Sequence, residues 1–266
     1  MLVSANFTVR YRSGFTVGAV ELRIEAGEVF ALVGESGSGK STIIKSFLGL
    51  LPTTAECTGE LRVGNTDLLL CSSSERRRVL RRDLGYVPQD ASACFSPYTT
   101  MRRQLFSFWQ ARVGRSERAE FDQTCEITLS VLGLEIGVLD RYPTQLSIGQ
   151  LQRIAIANAV LSKPPLLIAD EPTSALDVIT AAEVLRFFAF LKQQGTALLL
   201  VTHDLSTAFA LATSIAVLKQ GRVVEQSPAE NLRVAPGHPY TRALLAAHRQ
   251  LTGATHEDDP ALIVRA

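Results

Sequence analysis

The sequence predicts an α/β protein whose core is a mostly parallel sheet with helices on both faces. Three observations carry that prediction. Apolar runs at 29–33, 166–169 and 198–202 are continuous instead of alternating. A strand that is apolar along its whole length must be covered on both faces, as in a parallel sheet packed between helices. Helical patterns separate these runs, and a glycine-rich loop at 34–39 leads the first of them straight into a helix.

The elements follow in order. Short β-rich pieces come first, at 7–11, 17–24, 29–33 and 60–63, punctuated by Gly14, Gly27, Gly59 and Gly64. The helix behind the glycine loop starts near Lys40 and stops by Leu51-Pro52, because proline disfavours helical angles in the residue before it. Residues 84–87 read as a strand leading into Pro88-Gln89. From about 89 to 158 the pattern is helical, with irregular Ser/Pro/Tyr-rich connections at 92–99 and 141–144. Strands and helices then alternate: strand 166–169, helix 179–194, strand 198–202, helix 206–212. In the longer helix Val184, Leu185, Phe188 and Leu191 form a buried stripe at 3/4 spacing. Residues 215–218 and 222–226 make a short hairpin across Gln220-Gly221. His238-Pro239 opens a last helix to about Leu251, since proline suits a first turn. Residues 252–266, with Glu257-Asp258-Asp259-Pro260, read as a loose tail. There is no internal repeat.

Composition narrows the classes of function. With 266 residues, 46% of them apolar, the chain has enough material for one large core or a main domain with a smaller lobe. Charge is balanced, 27 Lys+Arg against 26 Asp+Glu, which leaves no electrostatic footprint for nucleic acid or an anionic membrane surface. The Arg-rich segment 75–82 is a local exception and reads as a solvated helix face. Cys57, Cys71, Cys94 and Cys125 lack Cys-x-x-Cys spacing, so neither a zinc site nor a disulfide framework is indicated, and a reducing cytosol fits. Met1 to Asn6 shows no secretory leader, and no apolar run approaches the roughly 20 residues of a bilayer span. Any membrane association is expected through a partner.

Three motifs carry chemistry. Gly34 to Ser41 matches Gly-x-x-x-x-Gly-Lys-Ser in full, after a strand and before a helix, which is the context that confirms a phosphate loop. Gly34, Gly37 and Gly39 permit backbone angles that gather N–H groups around a triphosphate. Lys40, in a helix's first turn, faces the positive end of the macrodipole, an unfavourable place unless an anion sits there too. Glu35, Ser36, Ser38 and Thr42 complete the expected nucleotide-binding set, with Ser41 as an Mg²⁺ ligand. The second motif is an acid pair, Asp170-Glu171, ending an apolar strand. Neighbouring strand residues point to opposite faces, so one acid can serve a metal and the other a different group. Alone, the pair reads equally well as a cap on Pro172-Thr173-Ser174. The third is Leu146-Ser147-Ile148-Gly149-Gln150, in which Ser147-x-x-Gln150 is itself a capping box opening a helix.

Phosphate loop, pentapeptide and acid pair, in that order, resemble the nucleotide-binding subunit of an ABC (ATP-binding cassette) transporter. The resemblance covers about residues 1 to 250 and implies a P-loop NTPase fold of the ABC ATPase type. That fold has a mostly parallel core sheet, an N-terminal antiparallel β-subdomain, and a helical subdomain at about 89–158 inserted in a domain spanning 1–251. It implies ATP and Mg²⁺ as ligands, Asp170 in the Mg²⁺ shell and Glu171 as general base. His203 stands where the family has its γ-phosphate histidine, Gln89 where it has a glutamine sensing Mg²⁺ and water, and Tyr11 where it has an aromatic on adenine. Ser147, Gly149 and Gln150 are implied to touch ATP held by an opposite subunit, and Asp177 to lie in the loop between facing subunits. The family pentapeptide reads Leu-Ser-Gly-Gly-Gln, and Ile148 replaces its first glycine, a change expected to be tolerated if the side chain turns aside.

Within the family, 168–177, the Gln89-Asp90…Ser96-Pro97 segment and Gly237-His238-Pro239-Tyr240-Thr241-Arg242-Ala243-Leu244-Leu245 look like the peptide/nickel importer group. The implied activity is ATP hydrolysis coupled to uptake of peptides, nickel or a related metal chelate. The implied partners are permeases, a second cassette, identical or paralogous, and indirectly a solute-binding protein, with no nucleic acid. The implied place is the cytoplasmic face of the cell membrane. The alternative is a soluble, nucleic-acid- or ribosome-associated ABC ATPase, against which stands the absence of a second cassette or zinc cysteines in the sequence. A nonenzymatic cassette is disfavoured by intact Lys40, Asp170, Glu171 and His203.

Overall fold

The computed structural model of the chain describes residues 1–114 and 117–252. The expected tail therefore lies outside the described residues, apart from Thr252.

Near the N-terminus, β1 (Val3–Tyr11) pairs antiparallel with β2 (Thr16–Ile24) on one side. On its other side it pairs antiparallel with β4 (Ala55–Val63), which closes onto the two-residue β5 (Thr66–Asp67). Burial alternates along β1, with Val3, Ala5, Phe7 and Val9 on the covered face. Both β1 and β4 are longer than the sequence reading had them. The reason is cross-strand pairing: the ladder runs unbroken from Val3↔Val63 to Tyr11↔Ala55 and carries along residues 55–59, which have no apolar alternation of their own.

The central strands are β3 (Val29–Gly34), β6 (Leu84–Val87), β7 (Leu166–Asp170), β8 (Ala197–Thr202), β9 (Ser214–Lys219) and β10 (Arg222–Pro228). The full order is β5-β4-β1-β2-β10-β9-β3-β8-β7-β6. Pairs β6/β7, β7/β8, β8/β3 and β3/β9 are parallel, and β10 returns antiparallel to β9 as the expected hairpin.

The continuous apolar strands divide their side chains between two cores. Val29, Ala31 and Val33 face one core together with Leu167, Ala169, Leu198 and Leu200. Phe30 and Leu32 face the other with Leu166, Ile168, Leu199 and Val201. Period-2 geometry thus uses every residue of each strand.

The first core is roofed by helices. Between β6 and β7 stand α3 (Met101–Val113), α4 (Arg118–Val131) and α5 (Ile148–Val160), the helical stretch read from the sequence. Further on come α6 (Val178–Gln193), α7 (Leu205–Leu211), α8 (Ala229–Val234) and α9 (Pro239–Thr252). The six-residue α8 was not legible, being too short to show a period. In α6, Val184 and Phe188 are buried as expected, joined by Phe187, while Leu185 and Leu191 are half-buried. Under the second core lies α1 (Lys40–Leu48), which stops at Gly49 in the left-handed region at φ 66°, before Pro52 has any influence. The Arg-rich segment forms α2 (Ser73–Arg82), opened by a Ser72/Glu75 capping box, with Arg77, Arg78, Arg81 and Arg82 exposed. Among the described residues no helix is long and apolar enough to cross a membrane.

The fully buried Leu200 marks the central packing. Leu200→Ala should lower unfolding free energy by about 2–5 kcal/mol in urea denaturation. Leu70→Ala, at a side chain 82% exposed, should stay within about 0.5 kcal/mol.

Candidate functional site

Parallel pairing puts the C-terminal ends of β3, β8, β7 and β6 side by side on one edge. Each is followed by a residue singled out from the sequence: Gly34 to Ser41 after β3, His203 after β8, Glu171 after β7, Gln89 after β6. This edge of an open α/β sheet is where such folds bind ligands. A cavity of about 680 Å³ opens there, walled by the loop together with Gln89, Asp170, Glu171 and His203.

The loop takes its shape from its glycines. Gly37 and Gly39 sit at φ 79° and 112°, angles that cost a side chain dearly. At Gly34 a Cβ would collide with the carbonyl oxygen of Leu218 on β9, so this glycine lets the loop start hard against the sheet. Lys40 is 8% exposed, and its ammonium donates to the carbonyls of Gly34 (2.5 Å) and Glu35 (3.0 Å). Burial pulls its pKa down, against the opposing pull of Glu171, Asp170 and Glu35. Not every loop residue faces the cavity. Glu35, Ser36, Ser41 and Thr42 do; Ser38 is buried behind the loop, beside a second, smaller cavity.

Asp170 and Glu171 are both nearly buried, at 9% and 7% exposure. Burial and then the neighbouring Glu171 raise Asp170 to about 6, in spite of Lys40. Glu171 leaves the strand in the left-handed region, at φ 48°. Such a conformation costs a non-glycine residue about 1–3 kcal/mol and is characteristic of functional sites. The turn swings its carboxylate across to β8, where Oε2 accepts from Thr202 Oγ1 (3.3 Å) and pairs with His203 Nδ1 (2.9 Å). The His203 ring is otherwise largely exposed. Asp204 caps α7, accepting from the N–H groups of Ser206 and Thr207.

The pentapeptide is a helix cap in fact. Ser147 Oγ accepts from Gln150 N–H (3.1 Å), and Gln150 Oε1 accepts from Ser147 N–H (3.0 Å). Ile148 is 68% exposed, its side chain turned aside into solvent. Within this subunit nothing forces a glycine at 149, where a Cβ would meet only Leu176, at an ordinary 3.5 Å. Ser147, Gly149 and Gln150 are not in the cavity wall of their own chain. Asp177 caps α6, accepting from Thr180 N–H (3.0 Å) and Thr180 Oγ1 (2.8 Å), hydrogen bonds that hold its pKa low.

Tyr11 is half-buried at the end of β1, with its hydroxyl 3.0 Å from Thr42 Oγ1 and its ring 6.1 Å from that of Phe15. It is Phe15, not Tyr11, that stands in the cavity wall. The sequence reading passed over Phe15, whose place in a turn between strands carries no periodic signal. It also passed over Gln152, 1% exposed, which donates to the carbonyl of Pro88 (3.2 Å) and so ties α5 to the segment bearing Gln89. A polar residue amid the apolar Leu151, Ile154 and Ala155 was the available clue.

The raised pKa of Asp170 has a stability consequence. Its folded form holds a proton that the unfolded chain has lost between about pH 4 and 6, so stability falls as pH rises through that window. Asp170→Asn should therefore stabilise the nucleotide-free chain at pH 7, by on the order of 1–2 kcal/mol, with the gain fading by pH 4. Thermal unfolding of both proteins across that pH range measures it.

Comparisons with known proteins agree with this arrangement. Residues 17–174 match the family model described as ABC transporter. The metal-staphylopine import system ATP-binding protein CntD of Staphylococcus aureus is 36% identical over 238 residues, covering 88% of each chain. The dipeptide transport ATP-binding protein DppD of Haemophilus influenzae is 37% identical over 233 residues, 86% of this chain and 70% of that protein. Among solved structures, the dimeric post-hydrolysis state of the ATP-binding cassette MJ0796 bound to ADP and Pi superposes with a TM-score of 0.76. It is 29% identical and covers 86% of this chain and 99% of that one. A phosphate loop, an acid pair and a histidine meeting on one sheet edge, in a chain so matched, leave one assignment: it belongs to the ABC transporter family, as an ATP-hydrolysing cassette.

Proposed function

We propose that this chain is the ATPase subunit of an importer for peptides or metal-chelating small molecules, acting as one half of a cassette dimer. The observation that carries the catalytic reading is the shared cavity of Lys40, Asp170, Glu171, His203 and Gln89. Its likeness to CntD and DppD supports the cargo class. Permeases, a solute-binding protein and the cytoplasmic face of the membrane belong to the same proposal. Residues 89–158 are read as its helical insert and 1–251 as the whole cassette.

Phosphoryl transfer to water needs positioning and charge neutralisation more than covalent chemistry. The loop N–H groups hold the β- and γ-phosphates, and an arriving triphosphate draws the Lys40 ammonium away from the Gly34 and Glu35 carbonyls. Glu171 takes the proton of the attacking water. Thr202 and His203 hold its carboxylate in place, and the exposed far edge of the His203 ring is left to meet the γ-phosphate.

The oxygen donors fit Mg²⁺. Ser41 hydroxyl, Gln89 and Asp170 supply a sparse hard-oxygen set at the phosphate end of the cavity, and no cluster of three or more His, Cys, Asp or Glu forms a cage among the described residues. Mg²⁺ binds in this way, through one or two carboxylates and a few further oxygens from substrate phosphates and water. When bound it neutralises phosphate charge, and Asp170 then has a cation to offset its unfavourable ionisation.

Ser147, Gly149 and Gln150 stand outside their own chain's cavity, which supports a second subunit presenting them to the ATP. The dimeric form of MJ0796 is the corresponding arrangement in a relative. Asp177 and Ile148 would then face the partner, and Ile148 would bear on the ATP held by that partner.

Two substitutions test the proposal. Glu171→Gln should retain ATP binding and dimerisation while hydrolysis falls by roughly 10²–10⁴-fold in a phosphate-release assay; turnover near the unmodified rate would sink the base assignment. Lys40→Ala should lose ATP affinity in equilibrium dialysis, and unaltered binding would refute the phosphate-loop reading.

A further inference from the structure

Five guanidinium groups line one groove on a part of the molecule that the ATPase reading leaves unused. Arg77, Arg78, Arg81 and Arg82 come from α2, and Arg112 comes from the end of α3. The spacing i, i+1, i+4, i+5 puts the first four on one side of their helix. The other side of α2 carries Val79, buried in the second core, and Leu80, packed against it. The groove encloses about 380 Å³ and shares no wall residue with the nucleotide cavity.

These arginines lack the carboxylate partners that other arginines of the chain have. Arg102 pairs with Asp122 and Asp140, Arg23 with Glu21, and Arg233 with Glu230. The groove wall contains no acid. Glu75, the nearest acid on α2, is taken up by the helix cap: it accepts from Ser72 N–H (2.9 Å) and Ser72 Oγ (2.7 Å), and Arg78 reaches it only as a charge. Arg112 is the sharpest case. It is half-buried, and its guanidinium donates to neutral acceptors, the carbonyl of Leu84 (2.9 Å) and the hydroxyl of Ser162 (3.3 Å). Burial pulls its pKa down.

Such a concavity is electrostatically costly without an anion in it. Both α2 and α3 end here, with Arg81, Arg82 and Arg112 in their last turns. A helix C-terminus offers roughly half a negative charge, so two of them offset about one of the positive charges and leave most of the repulsion standing. Planar guanidinium forks match phosphate oxygens two at a time, and forks converging from two helices suit a group with oxygens on several sides. A flat bilayer surface does not enter a groove between helices.

We infer that the groove between α2 and α3 is a second phosphate-binding site, which takes a free polyphosphate or a phosphorylated small solute between its arginines. The inference goes beyond the ATPase reading and does not depend on it. Because α3 buries Leu105 and Trp109 in the first core and α2 packs on the second, an anion held by both helices would tie the two layers together.

The test uses the full-length chain carrying Lys40→Ala, which weakens the phosphate loop as a competitor, and inorganic tripolyphosphate as the probe. In titration calorimetry at about 0.15 M salt, where exposed charges are well screened, the chain should still bind the probe. Adding Arg78→Gln and Arg81→Gln should weaken that binding by about tenfold or more, with the far-UV circular dichroism unchanged. Arg78→Lys with Arg81→Lys keeps the charge, loses the fork, and should recover part of the affinity. Unchanged affinity in the Gln pair overturns the inference, and so does a Lys40→Ala chain that binds no tripolyphosphate. Vesicles of phosphatidylcholine with phosphatidylglycerol test the other source of phosphate. Arginine-dependent binding to these vesicles, with none to tripolyphosphate, makes the groove a lipid contact and overturns the assignment to a free solute.

Discussion

The parallel register of β3, β8 and β7 is the constraint on which the rest of this structure depends. Val33 pairs with Thr202, and Asp170 pairs with Val201. The phosphate loop, the histidine and the acid pair thereby leave the sheet at one level, although well over a hundred residues separate the first from the others. A slip of one residue in either pairing would turn the strand's side chains to the other core. Both faces of each strand are packed, so such a slip is opposed by the packing of both cores. Site geometry and core packing are set by the same interaction.

The site collects groups that are unfavourable in isolation. Two acids adjoin in a nearly buried place, one with its pKa raised to about 6, and a buried lysine is shifted downward. Glu171 also holds a strained backbone angle. These costs are carried by the apolar sheet behind them. They are also complementary to what the proposed reaction would bring: phosphate charge for Lys40 and a cation for Asp170. The strain at Glu171 has a visible result, since only a chain that turns sharply after β7 can bring this carboxylate to Thr202 and His203.

Local signals were legible where local physics decides. The glycine pattern of the phosphate loop, the Ser147/Gln150 capping box and the β9–β10 hairpin all rest on contacts within a few residues. They appear in the structure as read. The outward turn of Ile148 follows from the same cap, because the first residue of a capped helix need not face the core. Less legible were β4, whose first half is a strand only because β1 pairs with it, and α8, which is too short to show a period. Gln152 and Phe15 looked ordinary, since what matters in each is a neighbour distant in sequence.

By itself, then, the sequence determined the individual elements, the phosphate loop and the helix caps, while the resemblance of its ordered motifs to a known family supplied the class of machine and the roles expected of the acid pair. The elements, loop and caps are written in residue spacing over short stretches, within the reach of turns, caps and strand periodicity. Only the tertiary structure decided which residues share the cavity. It set Ser38 behind the loop, put Phe15 rather than Tyr11 in the wall, kept Ser147 out of it, and brought Leu244 from the last helix. Those placements depend on how strands far apart in the chain pair and which face each helix buries, and no local spacing encodes them.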